Sequence, residues 1–155
     1  MTTKVATTNL GPGHVIASLR ASLQQTGLEQ IDLALIHWPA PHGAIDPAVY
    51  LAQLQAAQDA GLCRDIGVSN FTIALLRRAE GLLGKGALTC NQVELNPLFK
   101  NRKRADFGDA QGIRVTCILP MARGRLSGHP VIADIAAAHG KTGAQIGIAR
   151  GPAQD

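Results

Sequence analysis

An ammonium, an imidazole, a hydroxyl and two carboxamides draw attention in this chain because each falls where an apolar, strand-like run ends. They belong to Lys4, His37, the Ser69-Asn70 pair and Gln92. Imidazole and ammonium groups hold and move protons, and hydroxyls and carboxamides both donate and accept hydrogen bonds. In a barrel of parallel strands the strand ends converge on one face, so these side chains can form one polar site. Taken singly, each has a plainer reading. His37 can be a hydrogen-bonded structural residue, Ser69-Asn70 a helix cap, Gln92 a partner for backbone groups, and Lys4 a solvated residue near a terminus. The shared topological position favours the site.

The elements that must carry these residues are strands Thr2–Ala6, Ile31–His37, Arg64–Ser69, Thr89–Leu95 and Arg114–Leu119, with amphipathic helical stretches between them. That alternation predicts βα units and a parallel sheet. Helices are expected over His14–Gln25, which Gly27 stops, and from the Asp46-Pro47 cap to Gly61, with Val49, Leu51, Leu54 and Ala57 facing inward. Four more are expected over Thr72–Leu83, Arg104–Gln111 (which Gly108 weakens), Pro130–His139 and Thr142–Arg150, with Thr142 as a cap. Periodicity leaves an open sheet and part of a closed barrel equally possible. No strand is followed by the glycine fingerprint of a dinucleotide-binding turn or by a P-loop.

Composition narrows the classes. The 155 residues are 46% hydrophobic and 17% charged, enough for one globular core, and a single domain spanning 1–155 is expected. Lys4 and Arg20 against Glu29, Asp32, Asp46 and Asp59 leave residues 1–62 at −2, so with +4 overall residues 63–155 carry +6. A basic half attracts phosphate. With three Phe, one Tyr and one Trp, however, no basic motif interleaved with aromatics appears, and no nucleic-acid partner is expected. Cys63, Cys90 and Cys117 are odd in number and fit no zinc spacing, so no metal is expected and the setting reads as reducing and cytoplasmic. No apolar leader and no run of membrane-spanning length is present, so no membrane association is expected.

Three stretches carry a resemblance. Asp32-Leu-Ala-Leu-Ile-His-Trp-Pro39, Gly61-Leu-Cys-Arg-Asp-Ile-Gly-Val-Ser-Asn-Phe71 and Asn91-Gln-Val-Glu-Leu-Asn-Pro97 resemble strands 4, 5 and 6 of the aldo-keto reductases, with their surroundings. Thr3-Lys4-Val5 is similar to strand 3 of that family, and Ile135 to Gln145 to its late helices. Trp-Pro-Ala-Pro, Ser-Asn-Phe-Thr-Ile and Asn101-Arg-Lys103 look most like its bacterial 2,5-diketo-D-gluconate reductase branch. The resemblance covers roughly residues 2–150. It implies a partial TIM (β/α)8 barrel, about strands 3 to 7 with their helices, and NADPH-dependent reduction of an aldehyde or ketone to an alcohol.

A carbonyl that accepts hydride gains negative charge on oxygen, so such a site needs a proton donor and stabilising hydrogen bonds. The resemblance matches Lys4 to the family's catalytic lysine and His37 to its carbonyl-orienting histidine. It matches Trp38 to a substrate-pocket position, and Ser69, Asn70 and Gln92 to the residues that hold the nicotinamide carboxamide. The family's proton-donating tyrosine and its aspartate precede strand 3 and have no counterpart here, and the one tyrosine, Tyr50, sits in a helix rather than at a strand end. Its nicotinamide-stacking tyrosine falls near Ile118. Where the family continues into strand 8 and a loop for the adenosine 2′-phosphate, this sequence reads Gly151-Pro-Ala-Gln-Asp155. Arg123 and Arg125 follow strand 7, and Lys100 to Arg104 reads as a solvated helix entrance. The expectation is an oxidoreductase chain truncated at both ends and impaired alone. The alternative is an inactive fragment that acts, if at all, through self-association along exposed barrel edges or through residual nucleotide binding.

Overall fold

In the computed structural model, residues 1–150 are described, Arg150 by its backbone alone; the Gly151–Asp155 end lies outside the described residues. Five strands alternate with helices as the patterning predicts: β1 (Thr2–Val5), α1 (His14–Thr26), β2 (Ile31–Ile36), α2 (Pro47–Asp59), β3 (Cys63–Ser69), α3 (Ile73–Leu83), β4 (Cys90–Glu94), α4 (Arg102–Gln111), β5 (Arg114–Ile118), α5 (Pro130–Ala138) and α6 (Gly143–Arg150). The strands lie in one sheet in the order β1-β2-β3-β4-β5, with β1 and β5 at its two ends. Sequential parallel order with a helix after each strand is barrel-type winding.

The chain divides into two compact units, Met1–Asn91 with Arg104–Val115, and Gln92–Lys103 with Thr116–Asp155. In the first unit β1 pairs with β2 and β2 with β3, in parallel register that aligns Lys4 with Leu35 and Leu35 with Gly67. Side chains alternate across a strand, so Val5, Ile36 and Val68 share the opposite face. These three are buried with Val15 and Leu19 of α1, Leu51 and Leu54 of α2, and Leu76 of α3. Each fully buried leucine there contributes about 2 kcal/mol through removal from water.

Local signals act as read from the sequence. The Asp46 carboxylate accepts the Ala48 N–H at 2.8 Å, with Pro47 in the first turn of α2. Gly27 ends α1 in the left-handed conformation (φ 68°), a geometry that costs glycine little.

Two details depart from expectation. On α2 the buried residue is Tyr50, while Val49 is only half-buried, because the stripe runs Pro47, Tyr50, Leu51, Leu54, Ala57. Gly108 does more than weaken α4. It is buried, and a Cβ there would sit 2.5 Å from the Ile113 carbonyl oxygen, so glycine permits the close approach of the next strand.

In the second unit, Ala122, Leu126 and Ile132 form a small core against which Ile146 packs. Thr142 caps α6 as expected: its Oγ1 accepts the Gln145 N–H at 3.2 Å while Gln145 Oε1 accepts the Thr142 N–H at 2.9 Å. Asn96, nearly buried, closes the turn after β4 by accepting the Leu98 N–H at 3.1 Å and donating to Glu94 Oε1 at 3.0 Å.

Candidate active site

His37 is the first residue beyond β2, and both its backbone groups are tied to neighbouring strand ends. Its N–H donates to the Val5 carbonyl at 3.0 Å, and its carbonyl accepts from Asn70 Nδ2 at 3.0 Å. The residue is exposed, and its imidazole makes no hydrogen bond among the described residues. A buried, satisfied structural histidine is therefore not what the fold builds here. Alternation carries Lys4 of β1 onto the same face as Leu35 and Gly67, away from the helices, and on the next two strands His37 and Ser69 follow two positions further along. Lys4 is half-buried on that face.

Ser69 ends β3 fully buried. At Asn70 the chain turns with φ at +62°, the left-handed region that asparagine visits more readily than most residues because its short amide bonds locally. That amide reaches two ways: Nδ2 donates to the His37 carbonyl and to Ser69 Oγ, at 3.0 Å each. Asn70 Oδ1 is left with no donor among the described residues. Thr72, not Asn70, caps α3, its Oγ1 accepting the Leu75 N–H at 3.3 Å, which removes the capping explanation for Asn70. Trp38, next to His37, is 50% exposed, unusual for a tryptophan and suited to covering a ligand.

The structure thus brings Lys4, His37, Ser69 and Asn70 to one end and one face of β1 to β3. Gln92 lies half-buried on β4 in the second unit, with its carboxamide Oε1 shielded from solvent. Tyr50 is fully buried in α2, and burial pushes its phenol pKa upward, which suits neither a proton donor nor a solvent-facing site. Ile118 ends β5. Arg123 and Arg125 are exposed in the loop after it, and the Arg125 guanidinium donates to the Ala122 carbonyl at 3.1 Å. Lys100, Arg102 and Lys103 are exposed where α4 begins. The thiols offer no nucleophile in the first unit: Cys90 is buried, and burial pushes Cys63 up to about 11. Among the described residues no three His, Cys, Asp or Glu side chains gather as a metal site, and no helix is long and apolar enough to cross a membrane.

Sequence reasoning missed Asn91. It is fully buried beside Gln92, and its amide grips the Phe71 backbone with both arms. An asparagine inside an apolar strand, where it is a poor strand former, was the available signal.

Residues 1–140 match the family model for the aldo/keto reductase family. The chain belongs to this family. A methylglyoxal reductase, DkgB of Yersinia pestis, is 42% identical over 146 residues, which are 94% of this chain and 55% of that relative. An aldo-keto reductase of Mycobacterium sp. strain MCS is 37% identical over 149 residues, 94% of this chain and 51% of the relative. Among solved structures, apo Gox0644 superposes with a TM-score of 0.88 at 31% identity, covering 95% of this chain and 54% of its own. One described as a 2,5-diketo-D-gluconic acid reductase B gives 0.87 at 32%, covering 94% and 51%. A Gox0644 variant has been solved in complex with NADPH. This aldo/keto reductase chain spans about half the length of the curated relatives it matches. Its five parallel strands with their helices are accordingly part of a TIM barrel.

Proposed function

We propose that this aldo/keto reductase chain provides the nicotinamide-holding and carbonyl-orienting part of an NADPH-dependent reductase of aldehydes or ketones. The observation that carries the reading is the Asn70 amide, which fastens the strand end of His37 to that of Ser69 while keeping its own Oδ1 open. An open acceptor beside a buried hydroxyl is complementary to a carboxamide NH2, so the residues present fit the nicotinamide end of the cofactor. NADPH supplies a hydride when bound. In this reading Ser69 and Asn70 hold the carboxamide, the exposed His37 imidazole donates a hydrogen bond to the substrate oxygen, and the Lys4 ammonium stabilises charge developing nearby. Trp38 covers the substrate.

A small polar carbonyl compound is the proposed substrate, in line with the relatives' names of methylglyoxal and 2,5-diketo-D-gluconic acid reductase. Cytoplasmic residence, compatible with three free thiols, belongs to the same reading.

The 155 residues bring no phenol to this site, since their one tyrosine is buried in α2. Turnover by the chain alone is therefore expected at background, while NADPH binding persists. Fluorescence titration of the purified chain with NADPH, followed by NADPH oxidation with methylglyoxal, tests both parts. Absence of binding overturns the cofactor reading; sustained turnover overturns the impairment. The alternative of an interaction module has one observation in its favour, the end positions of β1 and β5 in the sheet, and predicts defined dimers on size-exclusion chromatography.

A further inference from the structure

We infer that Asn91 is a positioning residue: from inside the fold it fixes the left-handed turn at Asn70, and so sets the direction in which the Asn70 carboxamide points. The inference rests on the reading of Asn70 as a cofactor-holding residue.

β3 stops at Ser69 and α3 starts at Ile73, so the backbone of Phe71 belongs to neither ladder. Phe71 is fully buried, and buried backbone groups need partners. Asn91 supplies both. Its Oδ1 accepts the Phe71 N–H at 3.4 Å and its Nδ2 donates to the Phe71 carbonyl at 3.1 Å. The amide thus imitates one further rung of strand pairing beyond the point where β3 ends. Gly67 helps to bring it there, because a Cβ at that position would sit 2.7 Å from the carbonyl oxygen of Cys90, the residue before Asn91.

Holding Phe71 on one side and Ser69 in the strand on the other leaves Asn70 little choice. Its backbone takes φ +62°, and its amide then meets the His37 carbonyl and Ser69 Oγ together. Asn91 has no exposed surface, so it touches neither cofactor nor substrate and acts through Asn70.

The test uses the full chain and two readouts. Side-chain amide protons of Asn70, identified by their loss in Asn70→Ala, are followed by hydrogen exchange, and NADPH affinity by fluorescence. Asn91→Asp keeps size and acceptor but loses the donor. It is expected to speed exchange of the Asn70 amide and to weaken NADPH binding about tenfold, with no further loss when added to Asn70→Ala. A folded Asn91→Asp protein whose Asn70 amide exchanges as in wild type overturns the inference, and so does a loss that simply adds to that of Asn70→Ala. In the wild type, the Phe71 N–H and the Asn91 amide must exchange only on global unfolding; rapid exchange there overturns the inference without any variant. Wild-type protein that binds no NADPH removes the cofactor reading and leaves the exchange readouts to decide on Asn91.

Discussion

Asn70 donates its side-chain amide to the carbonyl of His37 at 3.0 Å, and the two residues stand at the ends of neighbouring strands, 33 positions apart in sequence. A short side chain on one βα connection thereby holds the backbone of the preceding one. Substitution at Asn70 separates two effects. Asn70→Ala loses this bond and places a Cβ-bearing residue without local amide bonding at positive φ, for a combined cost of about 2 kcal/mol. Asn70→Gly relieves the backbone and retains only the loss of the amide. Urea unfolding should rank stability as wild type above Asn70→Gly above Asn70→Ala, whereas NADPH titration should show both variants weakened alike.

Gly67 marks a close approach rather than a turn. A Cβ there would lie 2.7 Å from the Cys90 carbonyl oxygen and 2.8 Å from Leu35 Cδ2. Gly67→Ala is expected to destabilise by about 1–3 kcal/mol through overpacking. A denaturant midpoint equal to that of wild type would show that the strands separate without cost.

Asp46 joins the connection that follows His37 and Trp38 to α3. It accepts the Ala48 N–H, and the Arg78 guanidinium donates to both its oxygens at 2.8 and 2.6 Å. The backbone N–H of Ala48 foremost holds its carboxyl below the ordinary 3.8; desolvation opposes it, and the hydrogen bond and charge of Arg78 add smaller lowering effects. A depressed carboxylate stabilises the fold above its unfolded pKa, and that contribution disappears as pH falls through the folded value. Asp46→Ala should therefore unfold at lower urea than wild type by a constant margin from pH 7 to about pH 5, and the margin should shrink below about pH 4. A margin that does not change with pH would assign the effect to something other than the charge.

Tyr50 is a core residue with a polar tip. Its hydroxyl lies near the Ala40 backbone but meets no partner at hydrogen-bonding geometry among the described residues, so removing it exposes no broken bond there. Tyr50→Phe is expected to change stability by no more than about 1 kcal/mol, in either direction, and to leave NADPH affinity unchanged. A large fall in NADPH affinity in a stable Tyr50→Phe protein would draw this residue into the site.

The residue types were legible because strand ends write themselves into the sequence. Apolar runs of strand length stop at Lys4, His37, Ser69 and Asn70, and a parallel βα order carries those stops to one side. Tyr50 was less legible, since α2 is apolar on more than one side: a stripe containing Val49 and one containing Tyr50 both satisfy helical spacing. Gly108 read as a weak point because a helix interior disfavours glycine, and the Ile113 carbonyl that needs the space belongs to the residue that leads into the next strand.

By itself, then, the sequence determined the alternation of strands and helices, the caps at Asp46 and Thr142, and the family. These depend on local periodicity, local hydrogen bonding and contiguous motifs, all of which are one-dimensional. Only the tertiary structure decided that Asn70 bonds His37, that Asn91 clamps Phe71, and that Gly67 admits Cys90. Each of those pairs is brought together by strand register, and register is fixed by side chains packing across the whole sheet rather than by any stretch of neighbouring residues.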